Sequence, residues 1–417
     1  MLLLSLWVGR SILGNLAAPD APVGIAFDFA DFRDTTWTPT LDFLAGHIPW
    51  DTASYQERHP NAQPFLLYVP SYWPFALVFV QLPYPVVVGA WIVLSITALV
   101  TLVTVSLSRL WPAAAARAPW LILPVSIFFV LTPPAKYSVY TGNWESLCSA
   151  AAAAVLLTSS PRTLAGMLCV AVVKPQVGIP AAVSALMTRR IRPVLTAAAV
   201  STLLALPVLL LVWHRAGGLG PMLSIMMNNV GAADQELETR ALPRVDLAHF
   251  LWLSVGDIPS WVSLLAVLAT LVATLSVYVV ATRTGMSSAL AASSWGLFMV
   301  LVTPNLLYAT IALIPGIIAT AREVWEHGRG GRWARLVLPA IALCMMVFPF
   351  VNFYRLFPML GSTLSAGYFV NALLLSSSVL VCLGWFLLER RSGSAGELPM
   401  PQRDSSQGPP GQHLQSS

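Results

Sequence analysis

Charge is what this chain of 417 residues has least of. Only 10% of its residues are Asp, Glu, Lys or Arg, against about 25% in an ordinary soluble domain. A soluble globular protein of this length is thereby excluded. Lysine is almost missing, since of 23 basic residues only Lys136 and Lys174 are lysines. The net charge of +5 comes from arginines at the ends of apolar runs, where they orient a membrane chain. It is no sign of nucleic acid. Cysteine is scarce as well: Cys148, Cys169, Cys344 and Cys382 lie in apolar stretches without metal-ligand spacing, as small core residues do. No internal repeat and no Asp-x-Asp triplet occurs. The spacing Asp31-x-x-Asp34 is a weak metal motif, so neither metal nor cofactor is expected.

What the chain does have is apolar length. Its residues are 57% apolar and its mean hydropathy is +0.72. Several runs reach the roughly 20 residues that cross a bilayer. The fold expected is an all-α polytopic membrane protein in one domain, residues 1–391. A Ser-, Gly-, Pro- and Gln-rich tail, 392–417, should be disordered and cytoplasmic. Met1–Ala18 reads as a first span, and Asp20 to about Ser71 as a long loop with short helices. Further spans are expected near 85–107, 119–133, 142–158, 194–213, 258–281, 287–303, 305–321, 336–351 and 368–388.

Residues Thr163–Met187 decide the topology. Lys174-Pro175 sits in their middle, where Pro175 cannot donate a backbone hydrogen bond and pushes Lys174 out of helical geometry. The segment is either one span or a re-entrant hairpin of two half-helices. With the hairpin, the cytoplasmic loops hold 13 basic residues and the outer loops 7; with a single span the numbers reverse. The positive-inside rule favours the hairpin. About ten spans follow, in the plasma membrane, with both termini cytoplasmic and the first loop outside.

That loop holds the only cluster of acids: Asp28, Asp31, Asp34, Asp42 and Asp51. Asp28, Asp31 and Asp34 would share one drifting face of a helix. They are either a use for charge or simply a solvated loop end. Trp37, Trp50, Tyr55, Tyr68, Tyr72 and Trp73 crowd the same region, as an interfacial belt or as a platform for sugars. His47 and His59 there read as solvated loop histidines. A carboxylate near the bilayer surface can act as general base toward a sugar hydroxyl. A buried cation can hold a lipid phosphate as leaving group.

Several short motifs follow in order. They are Asp31-Phe32, Trp37, Leu44-Ala45-Gly46 and Pro49-Trp50-Asp51, then Tyr68-Val69-Pro70 and Trp73-Pro74. Gly142-Asn143-Trp144-Glu145 and the small-residue helix from Ala165-Gly166 to Lys174-Pro175 come next. In order and spacing the chain resembles the polyprenyl-phosphate-dependent glycosyltransferases of the GT-C class. It is most similar to the actinobacterial alpha-mannosyltransferase-like family of phosphatidylinositol mannoside synthesis. The resemblance implies a GT-C-like bundle of about ten transmembrane helices with a broken helix pair. It implies inverting transfer of a sugar, mannose above all, from a polyprenyl-phosphate donor to a lipid or glycan acceptor among membrane lipids. By position Asp31 becomes the catalytic base, with Asp34 and then Asp28 behind it. Lys174 becomes a ligand of the lipid phosphate, with Arg33, Asn143, Glu145 and Tyr308 as further donor-binding residues. Glu145 is also a candidate partner of Lys174. The chain departs from the family where a His follows Ser-Pro near a late helix. Here the sequence is Thr303-Pro304-Asn305-Leu306-Leu307-Tyr308, so Tyr308 or Asn305 would have to substitute by hydrogen bonding. A sugar or lipid transporter, or flippase, with its site at the broken helix and an inactive scaffold are the competing readings.

Overall fold

The computed structural model describes residues 29–60, 62, 68–239, 244–256, 259–303, 307–329, 333–351 and 364–394. The expected first span, Asp28, Asn305 and residues 395–417 lie outside these, and every described element is helical. The helix α1 covers residues 30–44, and its centre, Arg33–Trp37, is a π turn, a distortion often found at functional sites. The short α2 (Thr52–Arg58) and α3 (Trp73–Phe79) complete the first loop. Next come α4 (Tyr84–Leu110) and α5 (Pro112–Arg117). The pair α6 (Ile122–Leu131) and α7 (Pro133–Thr141) is bent by 66°. Thr132 there is extended at ψ 155° because two prolines follow it. The expected span at 119–133 closes at this break, and α7 carries the chain on to Thr141 in a new direction.

The chain continues through α8 (Glu145–Leu157), α9 (Pro161–Ala171), α10 (Pro175–Met187) and α11 (Ile191–Arg215). The helices α12 (Leu219–Thr239) and α13 (Leu247–Val255) follow. The last group is α14 (Ser260–Thr284), α15 (Ser288–Leu301), α16 (Ile314–Arg329), α17 (Trp333–Val351) and α18 (Leu364–Ser394). Among the described residues five helices are long and apolar enough to cross a membrane, or six with the bent pair counted as one. Four more apolar helices, Glu145–Leu157, Pro175–Met187, Ser288–Leu301 and Arg335–Val351, are shorter. At 1.5 Å per residue, a helix the length of α15 falls short of a ~30 Å hydrocarbon core. Every residue of α15 after Ser288 is buried, as expected of a helix that is apolar almost all round.

Side chains that reach carbonyls sort the helix ends into two faces. Arg190 donates to the carbonyls of Val155 (2.7 Å) and Thr158 (3.0 Å). Arg283 donates to Met187 O (2.6 Å), and Arg322 to Leu110 O (3.2 Å). Ser287 joins α15 to Glu323 of α16 and Glu389 of α18. This is the arginine-bearing face. Because Arg190 follows α10 and Thr158 precedes α9, the α9–α10 pair starts and finishes at one end. It is a hairpin with Lys174 at its tip. At the opposite face Arg215, closing α11, donates to Phe43 O (2.8 Å) and His47 O (3.0 Å).

The aromatics of the first loop form neither an exposed belt nor an open platform. Trp37, Trp50, Tyr55, Tyr68, Tyr72 and Trp73 are all buried. Phe43 and Trp50 pack on Trp73 at 4.7 and 5.4 Å, and Trp144 meets Trp91 at 4.6 Å and Tyr72 at 5.9 Å. Ring pairs at such spacing add about 0.5–1.5 kcal/mol beyond their burial. They wedge α1 into the bundle and so place the acids it carries.

Candidate active site

Asp31 stands in the first turn of α1. Two residues before it, Phe29 takes left-handed geometry at φ 58° and donates its N–H to Tyr140 O (3.0 Å). Gly142 is left-handed too, at φ 69°. A Cβ there would lie 2.6 Å from Phe32 Cβ and 2.8 Å from the Phe29 ring. The two reversed backbones fit together only because Gly142 has no side chain. Their contact sets Asn143, the next residue, against Asp31.

Asn143 is the hub. Its Nδ2 donates to Asp31 Oδ2 at 2.7 Å. Its Oδ1 accepts the Glu145 N–H at 2.9 Å and the Lys174 ammonium at 3.3 Å. Every donor and acceptor it uses agrees with one orientation of the amide. Lys174 also donates to Glu145 Oε2 at 2.6 Å, and Ser149 donates to the other oxygen of Glu145. Asn143, Glu145 and Lys174 are all buried. An ion pair so deep needs its remaining valences satisfied, and Asn143 and Ser149 satisfy all but one of them. The third ammonium hydrogen of Lys174 has no acceptor among the described residues, and the Tyr308 ring lies 4.2 Å from Nζ. Tyr308 stacks on Tyr137 at 5.5 Å.

The hairpin delivers Lys174 to this point for local reasons. Lys174 is extended (φ −105°, ψ 101°) ahead of Pro175 at the start of α10. Its carbonyl accepts the N–H groups of Val177 and Gly178, both at 2.9 Å. A Cβ on Gly178 would fall 2.3 Å from Val172 Cα, so glycine is what lets the returning strand of chain pass so close.

Asp31, Asn143, Glu145, Lys174 and Tyr308 are thus drawn into one constellation. Asp34 and Arg33 are drawn to each other: Arg33 Nε meets Asp34 Oδ1 at 2.7 Å and Nη2 meets Oδ2 at 3.3 Å. Both oxygens of Asp34 are engaged by a cation, whereas Asp31 receives only neutral donors. Burial pushes the Asp31 carboxyl above the ordinary range, while hydrogen bonds from Asn143 and Thr141 and the charge of Lys174 pull it back only in part. A carboxylate with that bias is suited to accept a proton. Asp42 is a structural tie instead, held by Arg58 at 2.8 Å and His59 at 3.2 Å.

Sequence reasoning missed the supporting hydroxyls and rings. Thr35 donates to Asp31 O, Tyr72 to Thr35 O at 2.8 Å, and Trp144 Nε1 to Thr36 Oγ1 at 3.1 Å. Tyr72 and Trp144 stand out in the sequence for their aromatic crowding and their motif, without these bonds, and the run Thr35-Thr36 after an acid was the signal for the hydroxyls.

A multi-pass helical bundle that joins a buried carboxylate to a buried cation through one amide has the build of a membrane group-transfer enzyme. A family model, glycosyltransferase family 87, matches residues 65–304. That is more than half of the chain, which belongs to this family and is a membrane glycosyltransferase. No curated protein and no solved structure matches the chain. Asn143, Glu145 and Lys174 fall within the matched residues; Asp31 and Tyr308 lie outside them.

Proposed function

We propose that this chain transfers mannose from a polyprenyl-phosphate donor to a lipid or glycan acceptor on the outer face of the plasma membrane, with inversion. Asp31 removes the proton from the acceptor hydroxyl. The acceptor oxygen then bonds the anomeric carbon while the bond from that carbon to the phosphate oxygen breaks. The leaving polyprenyl phosphate keeps the electron pair, and Lys174 offers it the donor now turned to the Tyr308 ring. The actinobacterial subclass, the bundle of about ten spans, the cytoplasmic termini and the outer position of the Asp31 face belong to the same reading. Arginine at the opposite face supports that orientation.

The observation that carries the reading is the bridge from Asp31 through Asn143 to Lys174. It sets a base and a cation on one amide. The test is transfer from radiolabelled polyprenyl-phosphate mannose to a membrane lipid extract by the purified protein. Asp31→Asn should lower it by about 10²–10⁴-fold, the range of general base catalysis, with normal expression. Unchanged turnover in that variant would remove Asp31 from the chemistry.

A further inference from the structure

A second site lies at the other end of the bundle. A cavity of about 610 Å³ is lined by Thr284, Gly285 and Met286, by His327, by Arg335, Leu338 and Pro339, and by Trp385, Leu388 and Glu389. It sits where α14 ends, α17 begins and α18 finishes, on the arginine-bearing face. Its polar groups are unequal. Glu389 is occupied: Oε1 accepts from Trp385 Nε1 at 2.7 Å and Oε2 from Ser287 N at 3.3 Å. His327 rests on Glu323 through Nδ1, at 3.2 Å. Arg335 has no ion-pair or hydrogen-bond partner among the described residues and is exposed. Arg335 is therefore the charged group of the lining whose donors are unengaged among the described residues, the Glu389 carboxylate being held by Trp385 and Ser287, and the wall behind it (Met286, Leu338, Pro339, Trp385) is apolar. Val337 and Leu387, which flank it on α17 and α18, are exposed apolar side chains, so the cavity adjoins surface suited to hydrocarbon. Most of its wall lies beyond residue 304, where the family match ends.

We infer that this cavity binds an anionic glycerophospholipid from the surrounding leaflet. Arg335 takes the phosphodiester and the apolar wall takes the first part of an acyl chain. Basic pockets between membrane helices hold acidic headgroups in this way, and a guanidinium suits phosphate oxygens better than an ammonium does.

The full chain, purified in non-ionic detergent and stripped of lipid, is titrated with phosphatidylglycerol. Parallel titrations use phosphatidylcholine of the same chains, undecaprenyl phosphate and inorganic phosphate. Bound species are read by native mass spectrometry. One phosphatidylglycerol per chain should be retained in preference to the others. Arg335→Ala should weaken it about fivefold, the equivalent of one cation at a membrane surface, and Leu338→Trp should weaken it with Arg335 intact. Arg117→Ala, at an exposed arginine on α5 away from the cavity, should leave it unchanged. The proposal is overturned if phosphatidylcholine binds equally, or if Arg117→Ala matches Arg335→Ala. Tighter binding of undecaprenyl phosphate would assign the cavity to a polyprenyl chain instead, and equal binding of inorganic phosphate would leave the apolar wall no part in it.

Discussion

Asn143 Nδ2 donates to Asp31 Oδ2 at 2.7 Å across 112 residues of sequence. The bond is made possible by two left-handed backbones in contact, Phe29 and Gly142. It gives a neutral donor, not a cation, to the proposed base. Asn143→Ala should therefore lower kcat by about 10²-fold, as a misplaced reacting group does, with KM for the donor moved far less. Steady-state kinetics in mixed micelles decide this. A change confined to KM would make Asn143 a binding residue and not a positioning one.

The raised Asp31 carboxyl gives the pH profile a definite sign. The base works ionised, so kcat/KM should fall as pH drops through a value above the ordinary Asp figure of about 3.9. Asn143→Ala removes a donor to the ionised form and should move this acid limb further up. Stability runs the other way. A folded-state value above the unfolded one means that the folded protein holds the proton more tightly. The stability it confers is then full at low pH and lost as pH rises through the folded value. Asp31→Asn should accordingly melt no lower than the parent at neutral pH, and lower melting would contradict a strained, desolvated carboxyl.

The acid cluster and Lys174 stand out in the sequence for physical reasons, whereas the choice of Asp31 within the cluster rested on the family resemblance. Acids and a lysine are so rare in this chain that each demands a partner, and Lys174-Pro175 announces a break wherever it occurs. The pairing of Lys174 with Glu145 was among the candidates and is formed, but the joint through Asn143 was illegible. Nothing local says that Asn143 would join Asp31 to Lys174, because that contact depends on the reversal at Gly142 and on the hairpin bringing residues from three segments together. The aromatics misled for a related reason. Belt and core aromatics have the same composition, and only the packing of Trp73 on Phe43 and Trp50 makes them core. Span number was hard to read because helices such as α8 and α15 are apolar but shorter than the five long enough to cross.

Lys174 and Glu145 test the ion pair against the phosphate role. Lys174→Met alone leaves Glu145 buried with an uncompensated charge and should cost about 3–5 kcal/mol. Adding Glu145→Gln removes that charge, and the double variant should regain most of the stability. If Lys174 also holds the lipid phosphate, the double variant will fold yet bind donor more weakly. Thermal unfolding and donor titration on the same three proteins separate the roles, and a double variant with normal donor affinity would confine Lys174 to structure.

Gly142→Ala combines strain with collision. An alanine at φ 69° pays about 1–2 kcal/mol for the left-handed backbone. Its Cβ would also stand 2.6 Å from Phe32 Cβ and 2.8 Å from the Phe29 ring, and overpacking of that kind adds about 1–3 kcal/mol. Both rings are fully buried, so neither can swing into solvent, and the relief available is for α1 to shift. That shift carries Asp31 away from Asn143. The variant should therefore lose transfer activity by more than its melting point would suggest. The comparison to make is Gly89→Ala, where a Cβ meets nothing within 4 Å and helix propensity favours alanine. If Gly142→Ala and Gly89→Ala retain equal activity, the contact between the two left-handed residues does not set the position of Asp31.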